Sequence, residues 1–189
     1  MIYASVISVS IKPERFDEFL SIHANEAMSA IRVAPGFGGG LVVSDRVKNA
    51  AFVVTLWASE VGLEHNEKQC RIAPDSASGS CLSHAPQSER CELLVQAGQK
   101  TGDLYARVIT FPVPEEHIDS ALRVYEEEYL PLLETQPGFA RVMWLADRVR
   151  GKGWGISFWS SHEQIQAVDV QGGFPHRSRA SSGVLLRAA

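Results

Sequence analysis

The stretch Pro35-Gly36-Phe37 ends a helical pattern and opens an extended one, and it returns as Pro137-Gly138-Phe139, an offset of 102 residues (from 35 to 137). Proline forbids continuation of a helix, glycine can take the left-handed conformation that closes one, and phenylalanine begins the next apolar run. We therefore expect one small fold to be present twice in the chain. The same offset relates other identical stretches, namely Asp45-Arg46-Val47 to Asp147-Arg148-Val149 and Trp57 to Trp159.

Each copy carries the pattern strand, helix, strand, strand, helix, strand. Apolar residues on one or both faces from Tyr3 to Ile11, and again from Tyr105 to Val113, predict a first strand. A helix with one apolar face is expected after Pro13 and after Pro114. A hairpin, a short helix and a last strand complete each copy. The sequence therefore predicts an α+β chain of tandem ferredoxin-like βαββαβ repeats.

The two copies are predicted to span residues 1–97 and 104–189, with a short polar linker at 98–103. Helices cover only one face of such a sheet, and exposing the other apolar face costs about 25 cal/mol per Å². We expect the copies to cover each other face to face as an intrachain dimeric α+β barrel, although exchange with a second chain would also bury these faces. The segment Cys70–Gln87, rich in Ser, Pro and Gly, is predicted to be a mobile or lid-like loop.

Composition argues against several classes of partner. The 189 residues carry a formal net charge of −4, and 45% of them are hydrophobic. The sequence has no cluster of Lys or Arg that would attract phosphate backbones or anionic lipids. We therefore expect neither nucleic acid nor membrane as a partner. The sequence shows no apolar segment of signal-peptide or spanning length, and its 3 cysteines have no C-x-x-C spacing. These features indicate a cytoplasmic protein without a metal site, and they leave open whether tandem chains pair into homodimers.

Two third-strand endings carry a family resemblance, Thr55-Leu56-Trp57-Ala58-Ser59 and Ser157-Phe158-Trp159-Ser160-Ser161. With the element order and the Pro-Gly-Phe stretch, they resemble the antibiotic biosynthesis monooxygenase-like family of dimeric α+β barrels. In that family a short helix with a histidine near its end commonly follows the Trp, and His65 matches it. The second copy has Ala167 at that place and offers His176 further along. The resemblance implies a pocket between the sheet and the long helix of each half.

The resemblance also implies what such pockets do. Some members oxidise polycyclic aromatic phenols with O₂ and no metal or flavin, others degrade haem, and many have no known reaction. Cofactor-independent oxidation needs an aromatic-walled pocket, a base that removes a proton, and a dry place for the resulting anion. We therefore expect a monooxygenase that acts on a small aromatic or polyphenolic molecule without a bound cofactor. A non-catalytic ligand-binding or assembly module of the same fold is the alternative.

Candidate site residues follow from this chemistry. His65 and His23 are the predicted bases and Asn66 can hydrogen-bond an enolate, so these residues form the predicted catalytic set. Each candidate also has a structural interpretation, because tryptophans at strand ends often pack cores and histidines at helix edges often lie at the surface. The residues predicted to contact substrate are Trp57, Phe16, Tyr125, Trp159 and His176.

Haem degradation is a further enzymatic option. It needs an axial imidazole and, by the family resemblance, an asparagine on the first strand. The polar residues of the first strand are instead Ser5, Ser8 and Ser10 in the first copy and Arg107 and Thr110 in the second, which argues against haem. The copies also differ where the candidates lie, with His23 in the first copy and Tyr125 at the same offset in the second. If one copy alone keeps a pocket, we expect it to be the first.

Overall fold

The computed structural model describes residues 1–69, 72–98, 102, 104–170 and 179–186. These residues form two compact units. The first unit contains Met1–Cys91 with Leu185 and Leu186, and the second contains Glu92–Val184. The predicted copy boundaries stay a prediction. Within the described residues, no helix has both the length and the apolar character that a membrane span requires.

The first unit contains an antiparallel sheet of β1 (Ile2–Ser10), β2 (Phe37–Asp45) and β3 (Ala50–Trp57), with β3 in the centre. Its long helical segment is not one regular α-helix, because a π-helical turn interrupts it. The helical elements of this unit, in chain order, are a 3₁₀ turn (Pro13–Arg15), α1 (Phe16–Ser21), a π turn (Ile22–Ala27), α2 (Met28–Arg32), α3 (Glu60–Gln69) and α4 (Ala77–Ser80).

The second unit contains an antiparallel sheet in the order β4-β6-β7-β5-β8. Its strands are β4 (Gln87–Gly98, which enters this unit at Glu92), β5 (Tyr105–Pro112), β6 (Phe139–Asp147), β7 (Lys152–Trp159) and β8 (Arg179–Leu186, of which residues up to Val184 belong to this unit). Its helical elements are α5 (Glu115–Val124), a second π turn (Tyr125–Tyr129), α6 (Leu130–Glu134) and α7 (His162–Val170).

The Pro-Gly-Phe stretches do what their residue types predict. Gly36 has φ +81° and Gly138 has φ +77°, the left-handed conformation that closes the preceding helix. The glycine carbonyls then accept hydrogen bonds from Ala58 N (2.8 Å) and Ser160 N (2.9 Å), just after β3 and β7. The mixed α+β character and the antiparallel strands agree with the prediction.

Part of the segment predicted as a mobile or lid-like loop, of which the structure describes residues 72–87, contains a short helix and packs on the core. Ser76 Oγ accepts a hydrogen bond from Gly79 N at 3.0 Å and so caps α4. Cys81 and Leu82 after it are buried, and Cys81 O accepts a hydrogen bond from Lys12 N at 2.8 Å. These apolar side chains join the core cluster of the first unit, which holds residues 76–82 against the end of β1.

Candidate functional site

One face of the second unit's sheet, called the floor below, has a depression where side chains are missing, called the dip. The register of β5, β7 and β6 places three rows of side chains on one face, and two of the three central residues are glycines. A Cβ atom on Gly155 would lie 2.8 Å from Cγ1 of Ile109, so a side chain there would fill the dip. The rows are Arg107-Ser157-Val142, Ile109-Gly155-Trp144 and Phe111-Gly153-Ala146.

The helical segment made of α5 and the second π turn forms a roof over this floor and leaves a cavity of about 410 Å³. α5 contributes Ala121, whose small side chain leaves room beneath the helix, and the exposed His117 and Val124. The π turn contributes Tyr125 and Tyr129. The cavity therefore lies between the sheet and the long helix, where the family resemblance implies a pocket.

Aromatic rings form much of the cavity wall. The ring of Tyr125 lies 5.1 Å from that of Trp144 and 6.4 Å from that of Tyr129, and the Phe111 ring lies 6.0 Å from Trp144. Burial raises the pKa of Tyr125 above its ordinary value, because the phenolate is poorly solvated there. Tyr125 thus stays protonated at neutral pH and can donate a hydrogen bond.

Two polar groups of the lining, the guanidinium of Arg107 and the indole N–H of Trp144, can only donate hydrogen bonds. Arg107, 6% exposed, lies on the floor beside the buried Ser157, its direct partner in the β5-β7 register. Trp144 is 2% exposed, and its Nε1 has no hydrogen-bond partner among the described residues. None of the described residues that line the cavity is Asp or Glu. The cavity thus has aromatic walls, and the side chain on its floor that carries a positive charge is Arg107.

The equivalent region of the first unit is filled. Phe19 stands where the second unit has Ala121, and Val53 stands where it has Gly155. Both side chains are buried in the core cluster of this unit, and the ring of His23 packs 4.2 Å from that of Phe19. The sequence predicts that, if one copy alone keeps a pocket, it is the first, whereas the cavity described above lies in the second unit.

The predicted catalytic residues lie in the first unit and do not line this cavity. His23 is buried, and desolvation lowers its pKa to about 4, so its imidazole is neutral at physiological pH. His65 is exposed on α3. The adjacent Asn66 is buried, and its Oδ1 has no hydrogen-bond partner among the described residues. A catalytic role for these three residues stays a prediction.

Of the predicted substrate contacts, Tyr125 lines the cavity. Trp57 and Trp159 are fully buried, and their indole N–H groups donate to Thr55 Oγ1 and Ser157 Oγ, each at 2.9 Å, as the core interpretation predicts. Phe16 is buried in the first unit beneath the guanidinium of Arg46, 4.6 Å from the ring centroid. His176 lies outside the described residues.

Sequence reasoning missed most of the residues that make the cavity. Their signal is present in the chain as a difference between copies at the same offset: Ser5 becomes Arg107, Val42 becomes Trp144, Val53 becomes Gly155 and Phe19 becomes Ala121. Two of these changes remove volume and two add a donor group. A histidine in a sequence suggests catalysis directly, whereas a position where a small residue leaves space gives no such signal in a single sequence.

Comparisons with known proteins extend the description of the fold. No protein-family model matches the chain, and no curated protein matches it. An anthrone oxidase-like protein of known structure has a TM-score of 0.71 at 16% identity, with 100% of this chain and 92% of that chain covered.

Two structures from Listeria monocytogenes are similar at lower scores. A ferredoxin fold protein related to antibiotic biosynthesis monooxygenases, from strain 4b F2365, has a TM-score of 0.57 at 12% identity, covering 98% of this chain and 95% of that one. A heme-degrading enzyme has a TM-score of 0.54 at 12% identity, covering 95% and 97%. At such identities the similarity shows the fold alone, so the chain shares a ferredoxin-like α+β fold with structures related to antibiotic biosynthesis monooxygenases.

Proposed function

We propose that the second-unit cavity binds a small, flat aromatic molecule with an ionisable hydroxyl, and that the protein oxidises this molecule with O₂ without a bound cofactor. The observation that supports this most is the cavity of about 410 Å³ walled by Phe111, Tyr125, Tyr129 and Trp144. Flat rings pack favourably against such walls, in stacked or edge-on geometry. The similarity to an anthrone oxidase-like protein is consistent with a substrate of this class.

We also infer that the chain is a duplicated ferredoxin-like fold in which the second copy keeps the pocket. The bounds of β2 and β3 recur 102 residues later in β6 and β7. Both copies carry a π turn in the long helix, which is a feature often found at functional sites.

The proposed reaction converts a ring-activated CH₂ group to a carbonyl. A base removes one proton, and the resulting anion is delocalised into the aromatic system and transfers electrons to O₂. A C–O bond forms, the O–O bond breaks, and one oxygen atom stays in the carbonyl group. The other oxygen leaves with the two substrate hydrogens as water, so one CH₂ and one O₂ give one C=O and one H₂O.

His117 is the proposed base, because it is the imidazole in the cavity lining. Its exposed position on α5 lets it exchange the proton with water. The protonated Tyr125 can donate a hydrogen bond to the substrate, and the aromatic walls exclude water from the anion. In this proposal the proton is removed at the solvent-exposed mouth of the cavity, and the anion is stabilised inside the cavity.

The lining does not fit haem. Haem iron needs an axial ligand held inside the pocket. His117 is exposed at the mouth, and the first-strand position holds Arg107, a cation that is not an iron ligand. Tyr125 is half-buried, and burial raises its pKa, so it does not supply the phenolate that haem iron binds.

A non-catalytic ligand-binding protein is the second candidate, because the lining residues that the structure describes include no buried histidine or carboxylate. An oxygen electrode separates the two functions, with anthrone as the probe in metal-free buffer. The proposed function predicts oxygen consumption that falls about 100-fold or more in His117→Gln, the usual contribution of a general base, and that persists in His65→Gln.

Two results would overturn this assignment. Loss of activity in His65→Gln with normal activity in His117→Gln would place the chemistry in the first unit. A thermal shift with anthrone but no oxygen consumption above the spontaneous rate would leave a binding protein.

A further inference from the structure

The floor of the cavity brings hydrogen-bond donors together on one side. Arg107 and Ser157 are direct partners in the β5-β7 register, so their Cβ atoms are about 5 Å apart. Ser157 Oγ already accepts a hydrogen bond from Trp159 Nε1 at 2.9 Å, which leaves its own O–H available to donate. The guanidinium of Arg107 has five N–H donors, more than a single contact uses.

Trp144 adds a further donor next to this pair. It faces Gly155 across the β6-β7 register and is the diagonal neighbour of Ser157 on the same face, within reach of a long side chain. Its Nε1 is a donor without a hydrogen-bond partner among the described residues, in a side chain that is 2% exposed. A buried donor without a partner is costly, and a ligand oxygen would relieve that cost.

The charge of the lining also favours a ligand oxygen that is anionic. Within the part of the chain that the structure describes, the lining contains Arg107 and no Asp or Glu, and the surrounding walls are aromatic rings. A cation in such a low-dielectric site attracts an anion more strongly than it would in water. The corresponding first-unit positions are Ser5, Thr55 and Val42, which provide neither a cation nor an indole donor.

We propose that Arg107, Ser157 and Trp144 form an oxyanion site, so that the cavity selects aromatic ligands that carry an anionic oxygen, either a carboxylate or an ionised phenol. The proposal rests on the proposed function in taking this cavity as the ligand site. It adds that recognition depends on the charge of the ligand oxygen, and it does not require that the ligand be oxidised.

Isothermal titration calorimetry at neutral pH tests the site with matched probes. The carboxylate arm compares naphthoate with the neutral naphthamide. The phenolate arm compares nitronaphthol, which is ionised because the nitro group withdraws electrons, with its methyl ether. The proteins are wild type, Arg107→Gln and the control Arg32→Gln, which removes the same charge from an exposed position on α2.

The proposal predicts that wild type binds at least one anion about tenfold or more tightly than its neutral partner, and the arm that shows this identifies the oxyanion. Arg107→Gln should lose that preference and still bind the neutral probe, since a charge-assisted hydrogen bond contributes about a factor of ten or more. Arg32→Gln should behave as wild type. Equal wild-type affinities for the anion and its neutral partner in both arms overturn the proposal, as does an Arg107→Gln protein that keeps the preference for the anion or no longer binds the neutral probe. Anion selectivity without oxygen consumption would refute the proposed oxidation and leave the oxyanion site intact.

Discussion

His23 offers a quantitative test of the view that the first unit packs its helix against its sheet as core. The side chain is 6% exposed and packs on Phe19, and burial lowers its pKa to about 4. In the unfolded chain an ordinary histidine has a pKa of about 6.5. The folded state therefore binds the proton less readily than the unfolded state between these two values.

The sign and size of the effect follow from linkage. His23 causes no proton-linked loss of stability above about pH 6.5, and the free energy of unfolding falls as the pH drops from there to about 4. Each pKa unit corresponds to about 1.4 kcal/mol, so acidification to about pH 4 costs about 3 kcal/mol through this residue. His23→Phe keeps an aromatic ring next to Phe19 and removes the titration.

Urea unfolding of wild type and His23→Phe, followed by circular dichroism from about pH 7 to about pH 4.5, measures this difference. Wild type should lose about 2 to 3 kcal/mol more than His23→Phe over that range. The control His65→Gln, at an exposed position, should follow wild type. Parallel pH profiles for wild type and His23→Phe would show that His23 is solvated, and would refute the packed first-unit core.

Three further substitutions probe the cavity and its filled counterpart. Gly155→Val should abolish naphthoate binding in calorimetry, because a Cβ 2.8 Å from Ile109 Cγ1 forces side chains into the dip; unchanged affinity would place the ligand elsewhere. Phe19→Ala should lower the free energy of unfolding by about 3 to 5 kcal/mol, as expected for a buried aromatic ring; a loss below about 1 kcal/mol would mean that Phe19 is not tightly packed. Ala121→Phe should block binding with little change in melting temperature, and retained binding would contradict the helical roof described for this cavity.

Most of the fold that could be predicted from the sequence follows from its repeated features. Pro-Gly-Phe ends a helix through proline sterics and a left-handed glycine, both of which are local effects, so the position of β2 and β6 could be predicted from sequence. The burial of Cys81 and Leu82 could not, because it depends on which distant core surface their segment meets. Closure of the two copies into one barrel stays a prediction.

The candidate site was harder to predict for a related reason. A cavity arises where volume is missing, and Ala121 and Gly155 are unremarkable in isolation. Only the register of three strands shows that Gly155 lies between Ile109 and Trp144. Tyr125 could be predicted because it occupies in the second copy the position that His23 has in the first, whereas Arg107 on the first strand indicates only a departure from the haem-degrading pattern.

A crystal structure of the chain with naphthoate tests most directly whether the second-unit cavity is the functional site. We predict ligand density between Trp144 and Tyr125, with the carboxylate within hydrogen-bond distance of Arg107. Ligand density in the first unit beside His23, or a cavity filled by side chains while naphthoate is bound elsewhere, would contradict the assignment.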